Sequence, residues 1–476
     1  MKRIAIIGGG ITGLAAAYAL EQQRRSGVDV DYVLYESSPR LGGVMVSDHV
    51  DGCLIEAGPD SFLTEKPWAT DLCRQIGLGD QLIGSNDRQR KTYILARGRL
   101  IPMPDGLMFM VPTKIMPTLL SPLFSKATKI RMAREWFHPP HKANGDESVA
   151  SMVERHYGSE MVELLADPLL SGVYGGEASQ LSVRAVLPRF AEMESKHGSL
   201  GRAMLAARKK MPQVAAGHAR PLFTSLKDGM QQMIDGIVGQ LNPKSLSADS
   251  PVQAIQLEAG AWTISAGLKS DRFTGVILAL PARDTATLLQ MSGAELSSEL
   301  RAIAYSSSVT VTLGYGKIVR DSLPPGFGFL IPRSAGKRML AATFVHNKFP
   351  HRAPDDRAIV RCFLGGARDE QVLALSDEHI LSLVRSELQQ IIRLSSEPLF
   401  TRIYKWKGAM AQYGVGHLER LERIEALRQR LPGLALAGNG YNGIGVPDCV
   451  RSGTDAATRL LTELGVTESP AQAASS

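Results

Sequence analysis

The strongest constraint on the fold is a glycine-rich turn near the start of the chain. A short apolar run, Arg3–Ile7, leads through Gly8–Gly10 and Gly13 into an alanine-rich segment. A strand, a GxGxxG turn and a helix in this order place backbone amides and the positive end of the helix where a pyrophosphate can bind. Glycine-rich turns of this kind also occur without a ligand, so the turn needs support from its surroundings.

A second apolar run provides that support. Val28–Tyr35 follows the predicted helix and ends at Glu36. Glu36 lies roughly 20 residues past Gly13, where an acidic side chain accepts hydrogen bonds from the ribose of a dinucleotide. The sequence therefore predicts a βαβ unit that binds a dinucleotide.

The residues after Glu36 indicate which dinucleotide binds. Arg40 and the pair Gly42 and Gly43 follow within a few positions. In this respect the chain resembles the FAD-dependent amine-oxidase-like superfamily, whose members carry an acid, an arginine and a Gly-Gly pair after the first βαβ unit. The glycine pair allows a second close approach of backbone to cofactor. Arg40 can offset phosphate charge, and the alternative is that it is an exposed turn residue.

Length and composition bound the remaining possibilities. The 476 residues exceed what one core accommodates and predict two or three domains, and a 44% hydrophobic, 21% charged composition is typical of a folded protein. The apolar run after Met1 is too short for an export signal, and no stretch approaches the roughly 18 to 20 apolar residues of a membrane span. The cysteines are scattered, which predicts neither a disulfide framework nor a zinc site and places the protein in the cytoplasm. His138 and His141 are the nearest approach to a metal pair, but prolines separate them and we assign no metal.

The net charge of +7 narrows the classes of partner. The basic residues are dispersed and lack interleaved aromatic residues, which argues against nucleic acid and favours an acidic small molecule or a membrane surface. On a helix, Ile130, Ala133 and Phe137 would line one face with basic residues around it. Such a helix either lies on a membrane or packs into its own domain, and the sequence leaves both open.

Three further stretches are candidates for the active site. Lys66 follows a turn at Gly58–Phe62 and is either a substrate contact or a solvated lysine. A helical pattern from Ser148 to Leu170 ends before Gly172 and Val173, where the backbone either approaches a flat substrate or connects two domains. A second glycine-rich turn precedes a helix predicted from about Pro447 to Leu464, whose positive end can stabilise a reduced flavin.

Four segments together resemble the porphyrinogen oxidases of haem biosynthesis, most of all the soluble Gram-positive bacterial type. They are Gly58–Leu63, Leu169–Tyr174, Ala409–His417 and Gly445–Cys449. The resemblance spans nearly the whole chain. It implies an α/β fold with an FAD-binding Rossmann-like domain assembled from separated segments, a mixed-sheet α+β substrate domain and a helical subdomain.

The implied domain bounds and site residues follow. The FAD-binding domain takes residues 1–65, 221–285 and 408–467, the substrate-binding domain 66–83, 177–220 and 286–407, the helical domain 84–176, and residues 468–476 form a disordered tail. Lys66, Gly172 and Val173 are the substrate-binding candidates. The residues and the resemblance together predict cofactor contacts at Gly8, Gly9, Gly10, Ile11, Thr12, Gly13, Glu36, Ser37, Arg40, Gly42, Gly43, Val44, Gly58, Pro59, Asp60, Ser61, Val252, Trp406, Ile444, Gly445 and Val446. One departure is Asn439, where many relatives in the superfamily carry an acidic residue.

The implied activity is FAD-dependent oxidation of coproporphyrinogen III to coproporphyrin III, with loss of six electrons to oxygen and release of hydrogen peroxide. The flavin performs the difficult step, so no side chain is assigned as a general base. The open alternatives are protoporphyrinogen IX as substrate, another amine-oxidase-like flavoenzyme with Tyr441 as the only aromatic residue offered for a cage, and a non-catalytic binder of the GDP-dissociation-inhibitor type. The sequence predicts peripheral membrane contact as one option and does not determine the oligomeric state.

Overall fold

The computed structural model describes residues 1–108, 110–141, 145–210 and 220–466. The predicted disordered tail at residues 468–476 lies outside this description. The helices within it are Ile11–Arg25, Trp68–Gln75, Ile115–Leu120, Lys126–Glu135, Val149–Tyr157, Ser159–Met161, Asp167–Tyr174, Val183–Val186, Pro188–His197, Leu200–Lys210, Gln231–Val238, Ala282–Leu289, Ala294–Arg301, Lys317–Ser322, Val345–Lys348, Asp377–Ile392, His417–Arg428 and Val446–Glu463. Shorter 3-10 turns occur at Gly79–Gln81, Asp87–Gln89, Pro243–Ser245, Arg333–Ala335, Pro350–Arg352 and Glu370–Ala374.

The strands form two large sheets and several small ones. In chain order they are Lys2–Ile7, Val30–Tyr35, Ser47–Val50, Cys53–Glu56, Phe62–Leu63, Leu82–Gly84, Thr92–Ala96, Arg99–Pro102, Leu107–Met108, Val111–Pro112, Phe223–Leu226, Leu246–Ser247, Val252–Glu258, Ala261–Ala266, Lys269–Phe273, Gly275–Leu278, Tyr305–Gly316, Gly328–Leu330, Met339–Phe344, Arg357–Gly365, Phe400–Ala411 and Leu434–Leu436.

A five-stranded parallel sheet confirms the predicted nucleotide-binding fold. Its order is Leu246–Ser247, Val30–Tyr35, Lys2–Ile7, Gly275–Leu278 and Leu434–Leu436, so strands far apart in sequence lie side by side. The helix Ile11–Arg25 packs on it beside the helix Val446–Glu463. Because the carboxyl ends of parallel strands share one edge, both glycine-rich turns open at the same edge.

A seven-stranded mixed sheet forms the second layer. Its order is Phe400–Ala411, Tyr305–Gly316, Arg357–Gly365, Met339–Phe344, Gly328–Leu330, Thr92–Ala96 and Arg99–Pro102. Along the strand Tyr305–Gly316, successive side chains point to opposite faces of the sheet. Val309, Val311 and Leu313 are buried in one core with the helix Asp377–Ile392. The other face presents Thr310, whose hydroxyl donates to the Ala57 carbonyl in the nucleotide domain.

Two of the implied domain bounds need correction. The strands Thr92–Ala96 and Arg99–Pro102 fall inside the bounds given for the helical domain, yet they complete the substrate-domain sheet, because Tyr93 and Leu95 pack into its core. The segment at 183–210 was assigned to the substrate domain, but its apolar side chains share a core with the helices between Val149 and Tyr174. In the first case strand pairing places the residues in the substrate domain. In the second, burial against the helices between Val149 and Tyr174 places them in the helical domain.

The predicted helix from Ser148 to Leu170 is wrong in its end and its continuity. It breaks at Gly158, passes through a π-helical turn at Val162–Ala166 and continues as Asp167–Tyr174. Gly172 and Val173 therefore lie inside a helix and not in a connection. Gly175 ends this helix in the left-handed conformation, with φ of 60°.

The basic amphipathic helix is present as Lys126–Glu135, but the face that it buries is not the apolar one. Thr128 and Glu135 are buried, whereas Ile130, Ala133 and Phe137 are exposed, Phe137 by 80%. The helix does pack into its own domain, but through Thr128 and Glu135, so the face that carries Ile130 and Ala133 is left uncovered. No helix in the described part of the chain is both long and apolar enough to cross a bilayer.

Candidate cofactor and substrate site

In the first glycine turn, Gly8 and Gly13 have no room for a side chain within the protein, whereas Gly10 does. Gly8 has φ of +108°, and a side chain there would press on the Ala279 carbonyl. A side chain at Gly13 would collide with the Gly8 carbonyl. At Gly10, by contrast, an added Cβ would meet nothing within 4 Å. The open space beside Gly10, at the start of the helix Ile11–Arg25, fits a dinucleotide pyrophosphate.

Two neighbouring positions of this helix differ in exposure. Ile11 is partly buried and follows Gly10 directly. Thr12 is buried, and its carbonyl lies where a side chain at Gly453 would collide with it. The Thr12 side chain therefore belongs to the contact between two helices, which leaves only its backbone amide for a phosphate.

Glu36 lies beside the glycine turn, as predicted. Its Oε2 accepts from the Gly9 amide at 2.7 Å and its Oε1 from the Ser38 amide at 2.8 Å, while Ser37 is exposed next to it. The Ser250 amide donates to the Glu36 carbonyl at 2.8 Å, which brings the start of the strand carrying Val252 to the same place. An acid, an open turn and a half-buried valine thus converge where the adenosine half of FAD is expected.

The Gly42–Gly43 turn joins the first turn directly. The Gly42 amide donates to the Gly9 carbonyl at 2.8 Å. The Arg40 guanidinium donates to the carbonyls of Leu41, Gly43 and Met45. Arg40 therefore fastens the glycine pair, and its contact with phosphate stays a prediction.

A third turn, Ala57–Ser61, packs against the residues that directly follow the glycine pair. A Cβ on Gly58 would collide with the carbonyl of Val44, and the Ala57 amide donates to the Val46 carbonyl at 2.9 Å. On its other side the Trp406 indole donates to the Ala57 carbonyl at 2.9 Å. The predicted contacts from Gly8 to Trp406 thus form a continuous line between the two sheets.

The side chain of Asp60 is engaged by the substrate domain. Lys348 Nζ donates to its two oxygens at 3.1 and 2.9 Å, and Ser61 Oγ donates to Oδ1 at 2.7 Å. Although burial alone would raise it, the charges of Lys348, Arg361 and Arg352 hold the pKa of Asp60 well below its usual range. Only the backbone of Asp60 remains for a cofactor, as for Pro59, which has no side-chain donor.

The second glycine-rich turn meets the same edge from the C-terminal side. Gly445 precedes the helix Val446–Glu463 in an extended conformation, Ile444 is half-buried beside it, and Pro447 lies in the first turn. The carboxylate of Asp448, also in the first turn, is buried and favoured by the positive end of the helix.

Lys66 reaches this second turn. Its Nζ donates to Asp448 Oδ1 at 2.8 Å and Oδ2 at 2.6 Å. The sequence placed Lys66 near the flavin but missed Asp448 as its partner, because the two are far apart in the chain. A substrate carboxylate at Lys66 would have to share the ammonium group with Asp448.

The other substrate candidates lie where the helical domain meets the sheet of the substrate domain. Val173 is 53% exposed, and an added Cβ on Gly172 would come no closer than 3.8 Å to Leu330. Gln412 Nε2 donates to the Tyr174 carbonyl at 2.6 Å and fixes the end of their helix. Gly172 and Val173 thus present small or exposed surface, as a flat substrate requires.

The hydrogen bonds of Asn439 explain why an amide and not a carboxylate occupies this position. Its amide nitrogen donates to the Ala409 carbonyl at 2.9 Å, and its oxygen accepts from the Tyr305 hydroxyl at 3.4 Å. An ionised carboxylate could not donate to Ala409. Tyr441, the one aromatic residue offered for an amine-oxidase cage, is buried in a hydrophobic core.

Three buried cations that contact the Ala57–Ser61 turn were not predicted from the sequence: Lys348, Arg352 and Arg361. Arg361 is a charged residue within the apolar strand Arg357–Gly365, and Arg352 is fully buried beside Glu56. A charge in the middle of a buried apolar run was the available signal, since such residues are rarely buried without a partner.

His138 and His141 do not form a pair. His138 stacks on His156, with ring centroids 4.4 Å apart. Both ring nitrogens of the buried His156 face carboxylate oxygens, Glu135 at 3.2 Å and Glu194 at 2.9 Å. Because carboxylates only accept, this arrangement favours an imidazolium. His138, His156 and Glu194 also bring one potential metal ligand each within 4.8 Å of one another.

Arg155 completes this group, since it pairs with Glu147 and Glu194. We call Glu135, Glu147, Arg155, His156 and Glu194 the helical-domain cluster.

Comparison with known proteins identifies the family. The family model described as "Flavin containing amine oxidoreductase" matches residues 11–461. The chain is 34% identical to the coproporphyrinogen III oxidase of Bacillus subtilis, over 97% of this chain and 98% of the relative, and 30% identical to that of Staphylococcus aureus, over 97% and 100%. A crystal structure from Exiguobacterium sp. 255-15, described as a candidate protoporphyrinogen oxidase, superposes with a TM-score of 0.87 at 32% identity, covering 98% of this chain and 99% of that one.

These findings agree with the turns described above, and the open space at Gly10 fits the FAD of this family. The chain belongs to the flavin-containing amine oxidoreductases and, within them, to the porphyrinogen oxidases, with FAD as its cofactor.

Proposed function

We propose that this protein is a coproporphyrinogen III oxidase that forms coproporphyrin III in haem biosynthesis. The observation that carries the proposal is near full-length similarity to coproporphyrinogen III oxidases, in a chain that retains an open dinucleotide turn at Gly10. A non-catalytic binder of the same architecture would not need that turn. The buried position of Tyr441 disfavours an amine oxidase with the cage considered above.

FAD supplies a two-electron acceptor when it is bound, so removal of six electrons takes three rounds, with oxygen as final acceptor and hydrogen peroxide as the second product. The protein itself binds and orients FAD and the substrate. The amides around Gly10 would hold the pyrophosphate and Glu36 the ribose, and the turns at Gly58–Ser61 and Ile444–Val446 would contact the flavin. No side chain is assigned as a general base.

The substrate lies between Lys66 and the helix end at Gly172 and Val173. Lys66 contacts a propionate and shares it with the positive end of the helix that begins at Val446. The remaining surface contacts the flat macrocycle through the exposed Val173 side chain. Coproporphyrinogen has four propionates and protoporphyrinogen two, so the net charge of +7 favours the former.

Comparative turnover tests the proposal. The purified holoprotein is given each porphyrinogen in turn, and porphyrin fluorescence measures the rate. We expect a higher kcat/KM for coproporphyrinogen III. Preference for protoporphyrinogen IX would reassign the substrate, and no turnover of either would refute the proposal.

We also propose peripheral contact with an anionic membrane from the cytoplasmic side. The short helix Ile115–Leu120 exposes four large apolar side chains, and Ile130 and Phe137 are exposed nearby in sequence with Lys126, Lys129 and Arg134. Co-sedimentation with phosphatidylglycerol vesicles should decrease when Leu120 and Phe137 are changed to serine. Equal sedimentation of this variant and the wild type would refute the contact.

A further inference from the structure

Five charged side chains meet between the nucleotide domain and the substrate domain, and we call them the interdomain cluster. All are largely withdrawn from solvent. They are Glu56, Asp60, Lys348, Arg352 and Arg361.

The cluster contains one more cation than it has carboxylates. Arg352 pairs with Glu56 at 3.1 Å, and Lys348 with Asp60 at 2.9 Å. Arg361 is left without a carboxylate of its own. It is 4% exposed, and its Nε has no hydrogen-bond partner among the described residues. A buried cation that is incompletely paired costs stability, so its presence calls for a role beyond folding.

Arg361 instead donates to backbone. Its guanidinium donates to the carbonyls of Ala57 and Gly58. The Ala57 carbonyl also accepts from Trp406, and the Asp60 carbonyl accepts from Arg352 at 2.9 Å. Side chains of the substrate domain thus hold three carbonyls of the Ala57–Ser61 turn.

The direction of these carbonyls also determines the direction of the neighbouring amide N–H groups. In a trans peptide the carbonyl of one residue and the N–H of the next point in opposite directions. The described chain has no cis peptide. When the Ala57 and Asp60 carbonyls point at the substrate domain, the N–H groups of Gly58 and Ser61 therefore point away from the guanidinium groups that hold those carbonyls.

We propose that Arg361 is a positioning residue of the cofactor site, which fixes the Ala57–Ser61 turn so that its amides are presented to the flavin. This inference rests on FAD lying along the turns at Gly8–Gly13, Gly42–Gly43 and Ala57–Ser61. Arg361 acts through the turn and takes no part in the reaction.

Arg402 provides a matched control. Arg361 and Arg402 lie on either side of Thr312 in the same sheet, and both are arginines that reach the nucleotide domain. Arg402 pairs with Asp48 at 2.9 Å and does not touch the turn.

The experiment measures FAD dissociation constants of the apoproteins by flavin fluorescence, with circular dichroism as the test of folding. We expect Arg361→Gln to weaken FAD binding about 10- to 100-fold, since a hydrogen bond from a charged donor is lost at a buried acceptor. Arg361→Lys should restore part of the loss, and Arg402→Gln should bind FAD within about twofold of the wild type, as expected for an exposed pair.

A second variant covers the case in which Arg361→Gln does not fold. Trp406→Phe removes the indole donor to Ala57 and changes no charge, and we expect FAD binding weaker by about 3- to 10-fold. Folded Arg361→Gln with unchanged FAD affinity would overturn the proposal, and so would unchanged affinity in Trp406→Phe if the arginine variant is unfolded. Because FAD binding is measured without porphyrinogen, failure here is distinct from failure of the proposed function.

Discussion

The two ionic clusters carry opposite excess charge and compensate it differently. The interdomain cluster has three cations and two carboxylates, and the backbone carbonyls of Ala57 and Gly58 accept from the surplus cation. The helical-domain cluster has three carboxylates and one arginine, and it becomes better balanced when His156 carries a proton. The first arrangement orients backbone beside the cofactor site, whereas the second makes the packing of helices depend on protonation.

The pKa directions agree with this contrast. Although burial opposes it, hydrogen bonds to Glu135 and Glu194 raise the pKa of His156 above its usual value. Burial likewise opposes ionisation of Glu135 and Glu194, yet bonds from His156 hold the pKa of each below the usual value. The interdomain cluster contains no histidine, and there burial raises the pKa of Glu56 and lowers the pKa of Lys348.

The largest expected effect comes from breaking the interdomain cluster. Arg352→Met leaves Glu56 buried without its counter-charge, and we expect a loss of about 3 to 5 kcal/mol in the free energy of unfolding. Urea denaturation measures it. The double variant Glu56→Gln/Arg352→Met should recover much of the loss, and a single variant within about 1 kcal/mol of the wild type would show that the pair is not buried as described.

A smaller effect is expected in the helical-domain cluster. His156→Gln removes a cation between two carboxylates and should cost about 2 to 3 kcal/mol, the value of hydrogen bonds to charged groups. Amide hydrogen exchange of Val149–Tyr157 reports it locally. FAD affinity should not change, and a loss of FAD binding would mean that the two clusters are coupled.

The pH dependence of the helical-domain cluster sharpens the comparison further. A raised histidine pKa contributes stability that is fully present below about pH 6.5 and is lost as pH rises through the folded value. The lowered glutamate pKa values contribute stability above about pH 4.3 that is lost only in acid. We expect exchange protection of Val149–Tyr157 to fall from neutral to alkaline pH in the wild type. His156→Gln should remove this slope, and an unchanged slope would assign it to another group.

The smallest stability effect belongs to the half-exposed pair of Lys66 and Asp448. Lys66→Ala should lower stability by less than about 1 kcal/mol. We expect it to raise the KM for coproporphyrinogen several-fold while FAD stays bound, because a propionate loses its counter-charge. Lys317→Ala, in an exposed pair with Asp321, is the control. An unchanged KM in Lys66→Ala would remove this lysine from the substrate site.

Local sequence was sufficient for the nucleotide domain. The turn at Gly8–Gly13 and the strand that leads to Glu36 were predictable, because turns and short strands are specified by adjacent residues. The second helix N-terminus at Val446 was predictable for the same reason.

Long-range pairing was not predictable. The strand Thr92–Ala96 joins a sheet whose next strand begins at Gly328, and Lys66 meets an aspartate near the C-terminus. The π-helical turn at Val162–Ala166 and the exposed apolar face of Lys126–Glu135 depend on tertiary contacts that a helical pattern does not contain. The glycine-rich turns were therefore predictable from local sequence, whereas the buried cations that contact the Ala57–Ser61 turn were not.

The most direct test of the proposed activity is anaerobic titration of the yellow holoprotein with coproporphyrinogen III. We predict loss of flavin absorbance near its visible maximum, with one coproporphyrin formed for every three flavins reduced because each flavin accepts two of the six electrons, followed by recovery of the colour when air is admitted. A flavin that dithionite reduces but coproporphyrinogen III leaves fully oxidised would contradict the assignment.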